Sequence, residues 1–164
     1  MLSSHPVRLG DWQAAAGRFP AQVRISALGV SAPVASTGTD VSTGELELPN
    51  DTTTVVWWSG GASLGDRSGT VTLAAHVDHD GRPGVFFRLA QLSTGDRIEV
   101  TGGDGAARGY RVESVRQVRK TGLASLGVFT AVGPPRLVLI TCGGDFDASR
   151  RAYEDNVVVV ALPA

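Results

Sequence analysis

One cysteine, one methionine and three histidines are all that 164 residues offer of the side chains most used for disulfides, soft-metal ligation and proton transfer. A lone cysteine excludes an intramolecular disulfide framework and any structural zinc site built on several thiolates. The core alone must therefore hold the chain together. Neither sign of charge dominates: 15 Lys and Arg against 16 Asp and Glu give a net charge of −1. That balance provides no electrostatic footprint for nucleic acid or an anionic membrane. No stretch reaches the roughly 18 consecutive apolar residues of a membrane helix, and no charged-then-apolar leader precedes residue 20. Long helix-forming stretches are scarce too, because 21 Gly and 8 Pro interrupt the chain.

What remains is a series of short β-branched and aromatic runs separated by turn signals, the pattern of an all-β barrel or sandwich. The spacing predicts strands over residues 23–30, 53–58, 70–77, 97–101, 109–118, 136–141 and 156–162, with Gly44 to Leu48 as a short hairpin partner. Gly60 to Gly69 reads as a flexible loop, and Gly102-Gly103-Asp104-Gly105 as a hairpin turn. Helical spacing occurs at Val85, Phe86, Leu89 and Leu92, and more weakly between Asp11 and Ala16, so one or two short helices are expected. No internal repeat, low-complexity tract or linker appears. A single β-domain of this length buries roughly two-thirds of its unfolded surface.

Three constellations bear chemistry. Leu137-Val138-Leu139-Ile140-Thr141 reads as a buried strand, and it runs into the single cysteine, Cys142, and then Gly143-Gly144. The glycines are expected to stop the strand and leave the thiol reachable at its end; the alternative is an inert, buried cysteine acting as a small hydrophobe. His76 lies where Thr72-Leu73-Ala74-Ala75 gives way to the polar Val77-Asp78-His79-Asp80. It reads either as a rim histidine bonded to a carboxylate or, with Asp78 and Asp80 on the same face of an extended strand, as a weak metal set. No second cluster completes such a set, so no metal is expected. Arg150-Arg151 follow the cysteine by eight and nine residues; a guanidinium there could stabilise an oxyanion or simply be solvated.

Taken in order, these segments resemble the sortases. Thr72 to Asp78, Gly84-Val85-Phe86-Phe87-Arg88-Leu89 and Gly95-Asp96-Arg97-Ile98 are similar to the histidine segment of that family. Leu139 to Asp147, followed by Tyr153-Glu154-Asp155-Asn156-Val157-Val158-Val159, is similar to its cysteine and terminal strands. Cys-Gly-Gly-x-Phe-Asp with Tyr-x-Asp-Asn-Val-Val-Val resembles the class F sortases of actinobacteria. With the strand between Pro20 and Pro33 and the Trp57-Trp58 pair, the resemblance covers about residues 20–161.

The resemblance implies a closed β-barrel of about eight strands over residues 20–164, preceded by an N-terminal extension over 1–19 downstream of a membrane anchor. It implies a cysteine transpeptidase at the cell membrane, facing outward, that needs no cofactor and works as a monomer. Its partners would be surface proteins carrying a Leu-Pro-x-Thr-Gly-type sorting signal and an amine acceptor such as a peptidoglycan precursor. Cys142 would be the nucleophile, His76 the acid towards the leaving amine, and Arg151 the oxyanion donor. Thr141 and Ala75 would contact the substrate. Two departures stand out: Ala75 replaces the glycine common before the histidine, and the arginine must reach in from the loop before the last strand. Two other functions use the same residues differently. A thiol hydrolase would release the acyl group to water, and a surface-binding β-domain would leave Cys142 inert.

Overall fold

The computed structural model describes residues 17–37 and 46–164. Their strands are β1 (Pro20–Ile25), β2 (Val30–Thr37), β3 (Val55–Trp58), β4 (Thr70–Ala74), β5 (Asp78–His79), β6 (Arg82–Pro83), β7 (Arg97–Gly102), β8 (Ala107–Arg119), β9 (Arg136–Asp147) and β10 (Ala152–Pro163). Eight of them close into a barrel in the order β1-β2-β3-β4-β9-β10-β8-β7, while β5 and β6 form a small separate ribbon. The closed eight-stranded barrel is the architecture expected from the sequence. Pairing is antiparallel except at β2–β3 and β4–β9, which run parallel.

Period-two alternation builds two apolar layers from one wall. Leu73, Leu137, Leu139, Val157 and Val159 point into the barrel, where they join Val23, Ile25, Trp57, Phe86, Leu89, Ile98 and Val100. Their neighbours Ala74, Val138, Ile140 and Val158 point outward and are roofed by Val128, Leu123 and Leu126 from the β8–β9 connection. Every strand of that wall is thus apolar on both faces, which is why 137–140 reads as a continuous hydrophobic run rather than an alternating one.

Four single-turn 3-10 helices occur among the described residues, at Ser26–Leu28, Leu89–Gln91, Lys120–Gly122 and Ala124–Leu126. The helical spacing of 85–92 shrinks to Leu89–Gln91, because tight turns already suffice to bury Phe86, Leu89 and Leu92.

Three strand boundaries also differ from expectation. The run 23–30 is not one strand: β1 ends at Ile25, the Ser26–Leu28 turn closes on Gly29 at φ 64°, and the chain doubles back antiparallel as β2 from Val30. The β4 strand ends at Ala74, ahead of the histidine. Most consequentially, Gly143 and Gly144 do not stop β9. The ladder with β10 shifts register between Tyr153 and Asp155, and β9 continues to Asp147. Gly144 takes φ 74° beside Asp155, and a side chain there would collide with that carboxylate. The glycines therefore make a β-bulge. The turn expected over Asp11 to Ala16 lies outside the described residues, as do Gly44 and Glu45; the remainder of that hairpin partner forms one isolated bridge at Leu46.

Candidate active site

The parallel pairing of β4 with β9 runs from Thr70↔Arg136 to Ala74↔Ile140. Beyond the end of β4 the two chains stay joined, because Ala75 N–H donates to the Ile140 carbonyl at 3.2 Å. His76 and Cys142 follow in step. By alternation both belong to the outer face, with Ala74 and Ile140, and both line one open groove of about 580 Å³.

His76 is held on three sides. Its Nε2 lies 2.8 Å from the Pro49 carbonyl oxygen. A carbonyl only accepts, so Nε2 carries a hydrogen and Nδ1 is the nitrogen free to gain or lose the second proton. The His79 ring stacks on the His76 ring, centroids 4.9 Å apart at 28°. On the backbone, Phe86 N–H reaches the His76 carbonyl at 3.3 Å. Gly84 packs against that same carbonyl so closely that a Cβ would collide with it.

Cys142 is a half-buried free thiol. Burial pushes the thiol above its ordinary value, the Lys120 ammonium pulls it down, and the Asp78 carboxylate pushes it up again. At neutral pH the thiol is therefore the major form and the nucleophilic thiolate the minor one. Lys120 reaches the groove from the 3-10 turn after β8.

The two arginines part company in the β9–β10 turn. Arg151 has φ 50°, an uncommon left-handed conformation for a side-chain-bearing residue, and lines the groove. Arg150 is exposed, and its Nε lies 3.7 Å from Asp147 Oδ2. Asp147 itself is held low by its bonds to the Ser149 hydroxyl and the Arg150 and Ser149 amides. It shapes the turn that presents Arg151.

Thr141 and Ala75 are both buried, and neither lines the groove. Thr141 points inward and its hydroxyl donates to the Ala75 carbonyl at 2.8 Å. The substrate contacts expected of these two side chains give way to a clasp between the histidine and cysteine segments. The reason is parity: residues that alternate with Cys142 and His76 face the core.

A contact that sequence reasoning did not anticipate completes the groove. Tyr153 O–H donates to Asp78 Oδ2 at 2.5 Å, and Phe146 packs edge-on against the Tyr153 ring at 5.1 Å. With Asp78 engaged by a phenol, the set His76, Asp78 and Asp80 does not converge. Among the described residues no three His, Cys, Asp or Glu side chains gather at metal-binding distances. Tyr153 and Asp78 stand 75 residues apart, and no local sequence signal connects them.

The sequence matches the Sortase domain family over residues 23–164. The fold matches Streptococcus agalactiae sortase C1 in complex with MTSET, with a TM-score of 0.66 at 19% identity over 87% of this chain and 66% of that one. Sortase A from Corynebacterium diphtheriae, a lid mutant, matches with a TM-score of 0.65 at 19% identity, over 88% and 69% of the respective chains. Group B Streptococcus pilus island 1 sortase C2 gives 0.67 at 19% identity, over 98% and 82%. At these identities the likeness speaks for the fold. The chain spans 66% of the length of the S. agalactiae sortase C1 it matches. A search of curated protein sequences found no match.

Proposed function

This chain belongs to the sortase family, and from that premise we propose that it is a cysteine transpeptidase acting through Cys142, His76 and Arg151 on proteins that carry a Leu-Pro-x-Thr-Gly-type sorting signal. The observation that carries the reading is the convergence of these three side chains on one open groove.

The Cys142 thiolate attacks the threonine carbonyl carbon of the Thr-Gly bond. Negative charge moves to the carbonyl oxygen, where the Arg151 guanidinium donates hydrogen bonds that strengthen as the charge develops. Collapse of the tetrahedral intermediate breaks the C–N bond, and protonated His76 delivers a proton through Nδ1 to the departing glycine nitrogen. A thioester on Cys142 and a neutral imidazole remain. An amine then attacks the thioester, His76 accepts its proton, and the thiolate leaves as the new amide forms. Protons balance over the cycle. Splitting one acyl transfer in two replaces a hard step with two easier ones.

The groove supports this assignment of roles, because Arg151 shares it with the thiol whereas Arg150 is turned towards Asp147. Thr141 and Ala75 then act by holding the nucleophile and the acid in register. The Cys-Gly-Gly-x-Phe-Asp and Tyr-x-Asp-Asn-Val-Val-Val segments favour the class F subgroup. A catalytic domain over residues 20–164, tethered outside the cell membrane by an upstream anchor, acting as a monomer without a cofactor and passing its cargo to a peptidoglycan-type amine, is the setting that reading implies.

Partition of the product tests the reading against a thiol hydrolase. A fluorescent Leu-Pro-x-Thr-Gly peptide incubated with an excess of primary amine should give the amide at the expense of the free acid. Free acid alone, whatever the amine, would identify a hydrolase. Intact peptide with fully folded protein would favour a binding domain.

A further inference from the structure

The histidine sits between the end of β4 and the short β5–β6 ribbon, whereas the arginine sits in the turn of the long β9–β10 hairpin. Two residues after His76 stands Asp78, and two residues after Arg151 stands Tyr153. These two are joined by a 2.5 Å hydrogen bond. The β5–β6 ribbon that carries Asp78 has only two residue pairs, Asp78↔Pro83 and His79↔Arg82. It lies outside the barrel ladder, so the bond to Tyr153 ties it to the wall of β10. The other residue of β5, His79, stacks on the His76 ring. A continuous path therefore runs from Tyr153 through Asp78 and His79 to the imidazole. Phe146 packs on the Tyr153 ring and steadies its far end.

We propose that Tyr153 and Asp78 form a bridge across the groove that fixes the histidine segment against the arginine turn, making them positioning residues for the acyl-transfer reaction. Neither exchanges a proton with the substrate. The bridge holds His79, and so the face of His76, at the separation from Arg151 that a substrate carbonyl must fit. This inference rests on the transpeptidase reading for its kinetic consequence but not for the bridge itself.

The test is a double-mutant cycle with Tyr153→Phe, Asp78→Ala and the pair together. Each single variant should lower kcat about tenfold or more, with KM changed less, because small displacements of reacting groups cost that much. The double variant should be no worse than either single one, since both remove the same bond. Asp78→Asn keeps an acceptor oxygen and should lose less than Asp78→Ala. Losses that multiply in the double variant, or singles within about twofold of the parent, would overturn the proposal.

A readout without turnover separates failure of the bridge from failure of the enzyme reading. The bond to Asp78 pushes the Tyr153 phenol up to about 12. In carbon-13 NMR of the tyrosine rings, Tyr153 should remain un-ionised at about pH 11 in the parent and be largely ionised there in Asp78→Ala, as an ordinary phenol is. Identical titration in both proteins would show that the bridge does not form.

Discussion

His76 lies in step with Cys142 because one register governs both: partners in the β4–β9 ladder differ by 66 positions (136 − 70 and 140 − 74), and so do the two site residues (142 − 76). The Thr141 hydroxyl bonded to the Ala75 carbonyl at 2.8 Å carries that register past the end of β4.

Replacing Thr141 with Val keeps the shape and removes the bond. A buried carbonyl would lose its partner, at a cost of about 1–3 kcal/mol. Chemical denaturation should show a lowered midpoint with an unchanged slope, and turnover should fall with it. A raised KM at undiminished stability would instead mean that Thr141 touches substrate.

Arg151→Ala should reduce turnover by about two to three orders of magnitude, the usual cost of losing an oxyanion donor. Arg150→Ala should stay within a few-fold, since its guanidinium faces Asp147. Arg151→Lys should also be poor, because an ammonium lacks the planar fork of donors. Arg151→Gly should be inactive yet at least as stable as Arg151→Ala, because φ 50° suits glycine. Equal activity of the Arg150 and Arg151 variants would exclude arginine assistance from this turn.

Lys120→Met should slow alkylation of Cys142 by iodoacetamide. The ammonium favours the thiolate, so its loss raises the thiol further and leaves less thiolate at neutral pH. The side chain is exposed and screened, so the effect should be less than about tenfold and should shrink in high salt. An unchanged alkylation profile would remove Lys120 from the electrostatics of the site.

The pH dependence follows from the burial of Cys142. Alkylation reads the thiolate alone and should keep rising with pH past 9.0, the ordinary thiol value above which burial lifts it. Turnover needs an unprotonated thiol and a protonated His76 together. Those demands oppose each other, so turnover against pH should be bell-shaped. Alkylation already maximal at about pH 5 would contradict the raised thiol.

Much of this was legible in the sequence, and the rest fails for identifiable reasons. The apolar run 137–140 and the Val-rich 157–160 announce a doubly covered barrel wall, and the single cysteine marks its own strand. Gly143-Gly144 reads equally well as a strand end or a bulge, and only the partner Asp155 decides between them. Gly29 hides a chain reversal inside a run that is apolar and β-branched on both sides. Alternation along an extended segment could not assign the arginines, because Arg151 is in a left-handed turn. Thr141 was drawn towards the substrate by its neighbour in sequence, whereas parity turns it inward. Lys120 and the Tyr153–Asp78 bond depend on elements distant in sequence meeting at the groove, which spacing along the chain does not encode.

Rapid quenching of the enzyme with a Leu-Pro-x-Thr-Gly peptide, followed by intact-mass and peptide mapping, tests the central claim most directly. An adduct of the acyl fragment should appear on Cys142, be labile to hydroxylamine, and disappear when a primary amine is added, with the amide product rising in step. Peptide cleavage that proceeds without that adduct, or that survives Cys142→Ala, would contradict a thioacyl-enzyme at Cys142.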